Sequence, residues 1–377
     1  MAFPSLNVYD FLFPAPTYPF AKHCSESYLD ARKKFLNAVN ANSQATLLKS
    51  IPVTSTEFPN QLYIDIALMG SLQASKFLIH ISGADGVAGL PASAIQTSLL
   101  INPPIELKKD IAIIFIHSLN PYGEHKKRLV TETNVFIDRN FSDGEIKNPL
   151  YANIDHLINP EEPSWLDHFL VKLSFYHIRP HGWQNLINAI ASGQKWNYEG
   201  IFYGGIQPEE GPKAVIDWFE SELLTNLQGD VRQLQFAFID VEVGRGEYGE
   251  ETLILLETPQ NNLFKNRKVS VSTTDSFVKA LSEKIQQING CVTKPFLIIK
   301  EHFASVSNYK FLMAVRDENS MYHFTKRNDI VLNPQSYETQ MLLNAFYPQD
   351  REWRDNAIKQ GRSLCSDTLL ALSQMKV

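Results

Sequence analysis

Three cysteines in 377 residues is a small number, and Cys24, Cys291 and Cys365 lie far apart with no C-x-x-C spacing. An odd count without close pairs argues against a disulfide framework and a thiolate metal site, and fits a reducing compartment. Long apolar runs are missing too; none approaches the roughly 20 residues needed to span a bilayer. No basic surplus exists, since the net charge is −6 and the pI is near 6.0. Phosphate binding usually needs a basic face, so nucleic acid is not the expected partner. The amino terminus, "MAFPSLNVYDFLFPAPTYPFAK", carries Asp10 and four prolines before Lys22, with no basic segment ahead of an unbroken apolar stretch. It does not read as a secretory signal, and the chain reads as a soluble cytoplasmic protein with no membrane partner.

What remains is the composition of an ordinary globule, 44% apolar and 20% charged. The length allows one large domain or two. Residues 25–43, "SESYLDARKKFLNAVNANS", read as an amphipathic helix with a serine near its start. Four apolar β-rich runs follow: "KFLIHIS" (76–82), "DIAIIFIH" (110–117), "LQFAFIDVE" (234–242) and "PFLIIKEH" (295–302). Nearly continuous apolar strands are expected when a sheet is covered on both faces. Helical patterns fall at 164–178, 182–192, 211–227 and 274–288, and the tail from Ser336 reads as helix broken at Pro348. No repeat, linker or low-complexity segment interrupts the chain. The expectation is an α/β fold, a mixed, mostly parallel twisted sheet with helices on both faces. It forms one domain over 1–377, with a core at about 50–330, a helical extension at 1–50 and a helical segment at 336–377.

In open α/β sheets the ligand crevice lies beyond the carboxyl ends of the strands. The four runs deliver there Asp85, then His117 and Asn120, then Glu242, then Glu301 and His302. Acids and a histidine are therefore expected to converge, although each alone reads as a solvated loop residue. The loop at 81–94, "ISGADGVAGLPASA", offers only Asp85, Val87 and Ala88, a thin set for a catalytic turn.

The stretch "HSLNPYGEHKKRLVTETNVFIDRNFSD" (117–143) resembles the zinc metallocarboxypeptidase superfamily, in particular a bacterial branch of carboxypeptidase-like proteins of unassigned function. Further segments are similar in order along the chain: "SYLDARKKF", "SGQKWNYEGIFYGG" (192–205), "IDVEVGRGEYG" (239–249), "AVRDEN" (314–319) and "LLNAFYPQDREWR" (342–354). The resemblance implies a carboxypeptidase-like fold of the phosphorylase/hydrolase type and, in the family, a zinc ion. The positions that would carry the chemistry differ. Asp85 stands where the resemblance implies a His ligand, Ala88 where it implies a Glu ligand, and Glu242 where it implies the third ligand, a His. His302 stands at the general base, a Glu in the family. Glu301 would be that base if the strand slipped by one, but the spacing to "AVRDEN" and the alignment of Phe303 favour His302. The substrate-carboxylate pair Asn-Arg is matched by Asp138 and Arg139, followed by Asn140. A further expected Arg falls on Leu129 with Arg128 beside it, and Tyr248 completes the candidate substrate contacts.

Zinc prefers imidazole and carboxylate donors with one open position for water. Asp85, Ala88 and Glu242 supply two carboxylates and a methyl group, so no zinc cofactor is expected; an alternative divalent metal held weakly by Asp85, Glu242 and His302 is the residual metal reading. Without metal, the carboxylates need protons or cations, and His302, Arg139, Arg128 and Arg245 are the candidates. The expected function is a carboxypeptidase-like protein without the standard zinc-peptidase site, whose old cleft takes a small carboxylate or amino-acid-like amide. It would act as a pseudoenzyme, or as a repurposed acid–base or hydrolytic enzyme using Asp85, Glu242, His302 and Glu301. The alternatives are a scaffold with a sealed cleft that binds a partner protein, and a working metallocarboxypeptidase with an unusual Asp/Glu/His site acting on a peptide-like substrate. His177, Arg179 and His181 read as a helix end before Pro180 is passed, "GGIQPEEG" lacks phosphate-loop spacing, and Ser82, Ser305 and Ser307 show no nucleophile elbow.

Overall fold

Eight strands make one mixed sheet: β1 (Ala45–Pro52), β2 (Tyr63–Met69), β3 (Lys76–Ile81), β4 (Ile111–His117), β5 (Gln235–Arg245), β6 (Glu251–Leu255), β7 (Lys268–Val271) and β8 (Leu297–Val306). They lie in the order β1-β2-β4-β3-β5-β8-β6-β7. The β3–β4, β3–β5, β5–β8 and β6–β7 pairings are parallel and the other three antiparallel. The computed structural model describes residues 17–142, 144, 146–162, 179–223, 234–256, 263–272, 276–287 and 297–375.

The four apolar runs are β3, β4, β5 and β8, which occupy the middle of the sheet. Four strands escape a reading by apolarity, for physical reasons. β2 carries Asp65, fully buried and bonded to Arg32 at 2.6 Å, which interrupts its pattern. β7, "KVSV", is exposed along its length, and β1 is only half-buried, so neither needs an apolar sequence. β6 carries Glu251 and Thr252 at its start.

The helices follow their caps. Ser27 accepts from the Asp30 amide at 3.3 Å and opens Tyr28–Ala41, and Ser307 does the same for Asn308–Arg327. The tail divides into Tyr337–Phe346 and Arg351–Gln374, capped by Ser336 and Asp350, with Pro348 in the break. The pattern at 182–192 forms the helix Trp183–Ser192, and that at 274–288 forms Phe277–Gln287. The pattern at 211–227 starts as Glu210–Trp218, loosens to a π-turn at Phe219–Leu223, and then leaves the described residues. The expected helix at 164–178, with His177, and Cys291 also lie outside them.

Strand alternation sends side chains to two layers. On β5, Ala237, Ile239, Val241 and Val243 join one core with helices Tyr28–Ala41, Leu90–Ile101 and Arg351–Gln374. Phe236 and Phe238 join the other, with Glu210–Trp218 and Phe277–Gln287. Burial of each such side chain contributes about 1.5–3 kcal/mol, so both faces hold the sheet. Continuing the alternation, Asp240 and Glu242 follow Phe236 and Phe238, while Lys300 and His302 follow Ile298 on β8. The second layer thus changes from apolar to ionisable at the carboxyl ends of β5 and β8. The parallel register sets Asp240 beside Lys300 and Glu242 beside His302.

The turn after β3 keeps its glycines for steric reasons. Gly83 sits at φ +79°, where a Cβ would come within 2.9 Å of the Ser118 Cα, and Gly86 at φ +53° would meet the Arg128 carbonyl at 2.1 Å. Beneath this turn lies Glu124, 1% exposed, whose Oε2 accepts from Ser118 Oγ at 2.8 Å while Oε1 has no partner. Burial pushes its pKa up to about 8, partly offset by the Ser118 bond. A carboxyl raised in the folded state contributes stability fully present below its ordinary value of 4.5 and lost as pH rises toward about 8. The limiting slope is about 1.4 kcal/mol per pH unit. Glu124→Gln is therefore expected to flatten the decline in Tm between pH 6 and pH 8; parallel curves for variant and parent would refute this origin.

Candidate functional site

A cleft of about 710 Å³ opens at the carboxyl ends of β5 and β8. Asp85 reaches it from the turn after β3, Asp138 and Arg139 from the short helix Ile137–Asn140, Glu242 and Arg245 from β5, and Lys300 and His302 from β8. Phe136, Phe202, Phe311 and Phe346 supply apolar wall, and Gln184, Asn188, Ser192 and Asn308 supply neutral polar wall.

Lys300 is the centre of the charge network. Its Nζ donates to Glu242 Oε2 at 2.7 Å and to Asp138 Oδ2. The second Asp138 oxygen accepts from the Phe277 amide at 3.3 Å, at the start of helix Phe277–Gln287. Glu242 Oε1 faces His302 Nδ1 at 3.0 Å, and His302 Nε2 faces the Arg245 carbonyl at 3.0 Å. A carboxylate and a carbonyl are both pure acceptors, so both ring nitrogens must donate, and His302 is an imidazolium. Burial disfavours that charge, yet the Glu242 bond and charge outweigh it and raise the His302 pKa. Burial likewise opposes ionisation of Glu242 and Lys300. Lys300 and His302 nonetheless hold Glu242 well below the usual carboxylate range, and Asp138 and Glu242 hold Lys300 well above the usual amine range.

Two further acids answer differently. Asp240, 1% exposed, has no partner for either carboxylate oxygen, and burial pushes its pKa up to about 8 against the pull of Lys300. Asp85 is partly exposed as a residue, but its Oδ1 is enclosed and unpartnered. Burial and then repulsion from Asp138 and Glu242 raise it well above the ordinary value. On the cleft floor Lys300 and His302 face Glu242, and Lys300 also holds Asp138, while Asp85 and Asp240 are both raised above the ordinary carboxyl range.

The structure brings together Asp85, Glu242, His302, Asp138, Arg139 and Arg245 and leaves the other expected residues elsewhere. Glu301 points to the opposite face of β8, fully buried next to Glu251 and Arg267, so it cannot serve as a base in this cleft. That follows from its alternation with His302. Arg128 lies outside the cleft lining, ion-paired with Glu318 at 2.7 Å and 3.5 Å above the Tyr322 ring. Asn140 braces a loop, donating to Gly204 O and Gln207 O at 2.8 Å each. Tyr248 is 56% exposed and bonds Asp350 at 2.9 Å, away from the lining. Neither His117, bonded to Ser93 at 2.8 Å and stacked on Phe35, nor Asn120, which caps Pro121–Lys126, reaches the crevice. His181 belongs to a short helical turn, Arg179–His181. Ser82, Ser305 and Ser307 bond within the fold or cap a helix. Lys300 and Asp240 were not anticipated. The signal was available, since Lys300 stands two residues before His302 in "IIKEH" and must share its face.

These residues do not fit a zinc ion. Ala88, where the resemblance implies a Glu ligand, has no donor atom and is fully buried in the core. Glu242 is already bonded to Lys300 and His302, and an imidazolium has no lone pair to offer, so Asp85, Glu242 and His302 make no ligand set. Among the described residues no group of three His, Cys, Asp or Glu side chains is arranged to hold a metal ion. No described helix is long and apolar enough to cross a membrane.

Residues 24–360 match the model of the family described as "Protein of unknown function (DUF2817)". The chain belongs to that family. Among solved structures, it is similar to a metallo-carboxypeptidase from Burkholderia cenocepacia, at 11% identity over 91% of this chain and 69% of that one, with a TM-score of 0.44. Bovine thrombin-activatable fibrinolysis inhibitor, in complex with tick carboxypeptidase inhibitor, is 10% identical over 93% of this chain and 98% of that one, with a TM-score of 0.46. Carboxypeptidase A from Helicoverpa armigera gives 11%, 90% and 78%, with a TM-score of 0.45. At such distances nothing about chemistry transfers. A comparison with curated proteins finds no match. Membership in this family assigns no activity, so the chemistry must come from the cleft.

Proposed function

We propose that the cleft binds a small carboxylate-bearing, amino-acid-like amide without a metal ion, and that binding rather than zinc-peptidase hydrolysis is its role. The observation that carries this reading is the pairing of an open cavity with guanidinium groups in its wall. Arg245 donates to Asn308 Oδ1 at 3.4 Å and Asn188 Oδ1 at 3.2 Å, both neutral acceptors, and its guanidinium lies 5.9 Å from the Phe311 ring centre. Arg139 reaches the cleft with its Nε on the Ala191 carbonyl at 3.1 Å. A carboxylate is the group that best matches a guanidinium fork. The four phenylalanines suit the apolar part of an acyl amino acid, and the amide side chains suit its peptide group.

The paired charges limit catalysis. Imidazolium His302 cannot accept a proton, and ammonium Lys300 is no nucleophile. One observation favours acid chemistry as a second reading: burial and the nearby Asp138 and Glu242 raise the pKa of Asp85 at the cleft, the direction a general acid needs. Titration calorimetry with hippurate and other N-acyl amino acids tests the binding reading. Arg245→Ala and Arg139→Ala are each expected to weaken binding about 10- to 100-fold, the loss of a charge-assisted hydrogen-bonded pair. Unchanged affinity in both variants would overturn it.

A further inference from the structure

The carboxylates at the floor of the cleft are arranged around a cation that belongs to the chain itself. Lys300 Nζ contacts Glu242 Oε2 at 2.7 Å and Asp138 Oδ2, and stands beside Asp240 in the strand register. These acids come from two separate elements, strand β5 and helix Ile137–Asn140, so one ammonium ties together groups distant in sequence. A bound ion does the same. Asp240 adds an independent sign of a cation locus. It is 1% exposed, precedes Glu242 by two residues on the same strand face, and leaves both oxygens without a hydrogen-bond partner. An ammonium has three N–H donors. Two are taken, and among the described residues the third has no partner, while Lys300 lines the cleft.

We propose that Lys300 is a tethered substitute for a divalent cation: it neutralises Asp138 and Glu242 as an ion would, and its third N–H is the counterpart of an ion's open position, directed at an acceptor on whatever occupies the cleft. The two side chains that hold Lys300 offer only carboxylate oxygen, so the ion it stands in for is hard, of the manganese or calcium kind, rather than zinc. The inference does not depend on which ligand the cleft takes.

The test exchanges the tether for the ion. Native protein titrated with MnCl2, CaCl2 and ZnCl2 is expected to take up no stoichiometric ion, read by elemental analysis after desalting and by the electron paramagnetic resonance signal of free manganese. Lys300→Ala is expected to gain one manganese site. With the ion at about 100 times its Kd, the variant's folding constant should rise roughly 100-fold, read as a Tm increase that calcium reproduces. Recovery of folded Lys300→Ala only in the presence of manganese supports the same conclusion. Lys300→Arg keeps the charge and is expected to remain blind to the ions. Stoichiometric ion uptake by the native or the arginine protein overturns the proposal. So does an alanine variant that shows no ion-dependent stabilisation, or that fails to fold even with manganese present.

Discussion

In ion-free buffer, Lys300→Met is expected to lose about 3–5 kcal/mol of folding stability, the loss typical when one partner of a buried charge pair is removed. The expectation follows from what stays behind. Asp138 and Glu242 are nearly enclosed, and their side chains retain only 3% and 16% of their accessible surface. Methionine fills the volume of the lysine stem but leaves both acids facing one another without the ammonium. Glu242 keeps its His302 bond, so Asp138 bears most of the change. Urea denaturation followed by far-ultraviolet circular dichroism measures the loss. If the variant lies within 1 kcal/mol of the parent, on the order of a surface pair, the network is solvated and Lys300 is not its centre.

Arg128→Met is expected to cost a comparable amount, about 3–5 kcal/mol, away from the cleft floor. The guanidinium is 1% exposed, bonds Glu318 at 2.7 Å, and lies 3.5 Å above the Tyr322 ring. It ties the segment carrying Leu129, a wall residue of the cleft, to helix Asn308–Arg327. The single change leaves Glu318 buried and unpaired, whereas Arg128→Met with Glu318→Met removes both charges. That double variant should regain most of the lost stability, since apolar replacements of a buried pair are often neutral. A double variant as unstable as the single would assign the effect to the Tyr322 stack and packing instead.

The middle of the sheet was readable because β3, β4, β5 and β8 are covered on both faces and must be apolar. The edges were not, since an exposed strand such as Lys268–Val271 carries no such requirement. In the cleft, alternation along "IIKEH" was enough to separate Glu301 from His302 once β8 was known to be a strand. It would also have found Lys300. What sequence could not supply was the partner of each charge. Arg128 looked available for the cleft acids because it adjoins Leu129, but Glu318 lies 190 positions away in the chain and only the folded structure puts them in contact. Ala88 offers only a methyl group, and the fold uses it as packing within the core.

Asp138 has two oxygens facing in opposite senses, one toward the ammonium in the cleft and one toward the first amide of helix Phe277–Gln287. Those two bonds share a single rigid carboxylate, so a displacement at one end must be felt at the other. An acceptor that draws Lys300 away would free Asp138 to hold the Phe277 amide more tightly. Slower deuterium uptake at that one buried backbone site, at the start of a helix, would then announce that the interior of the cleft is filled.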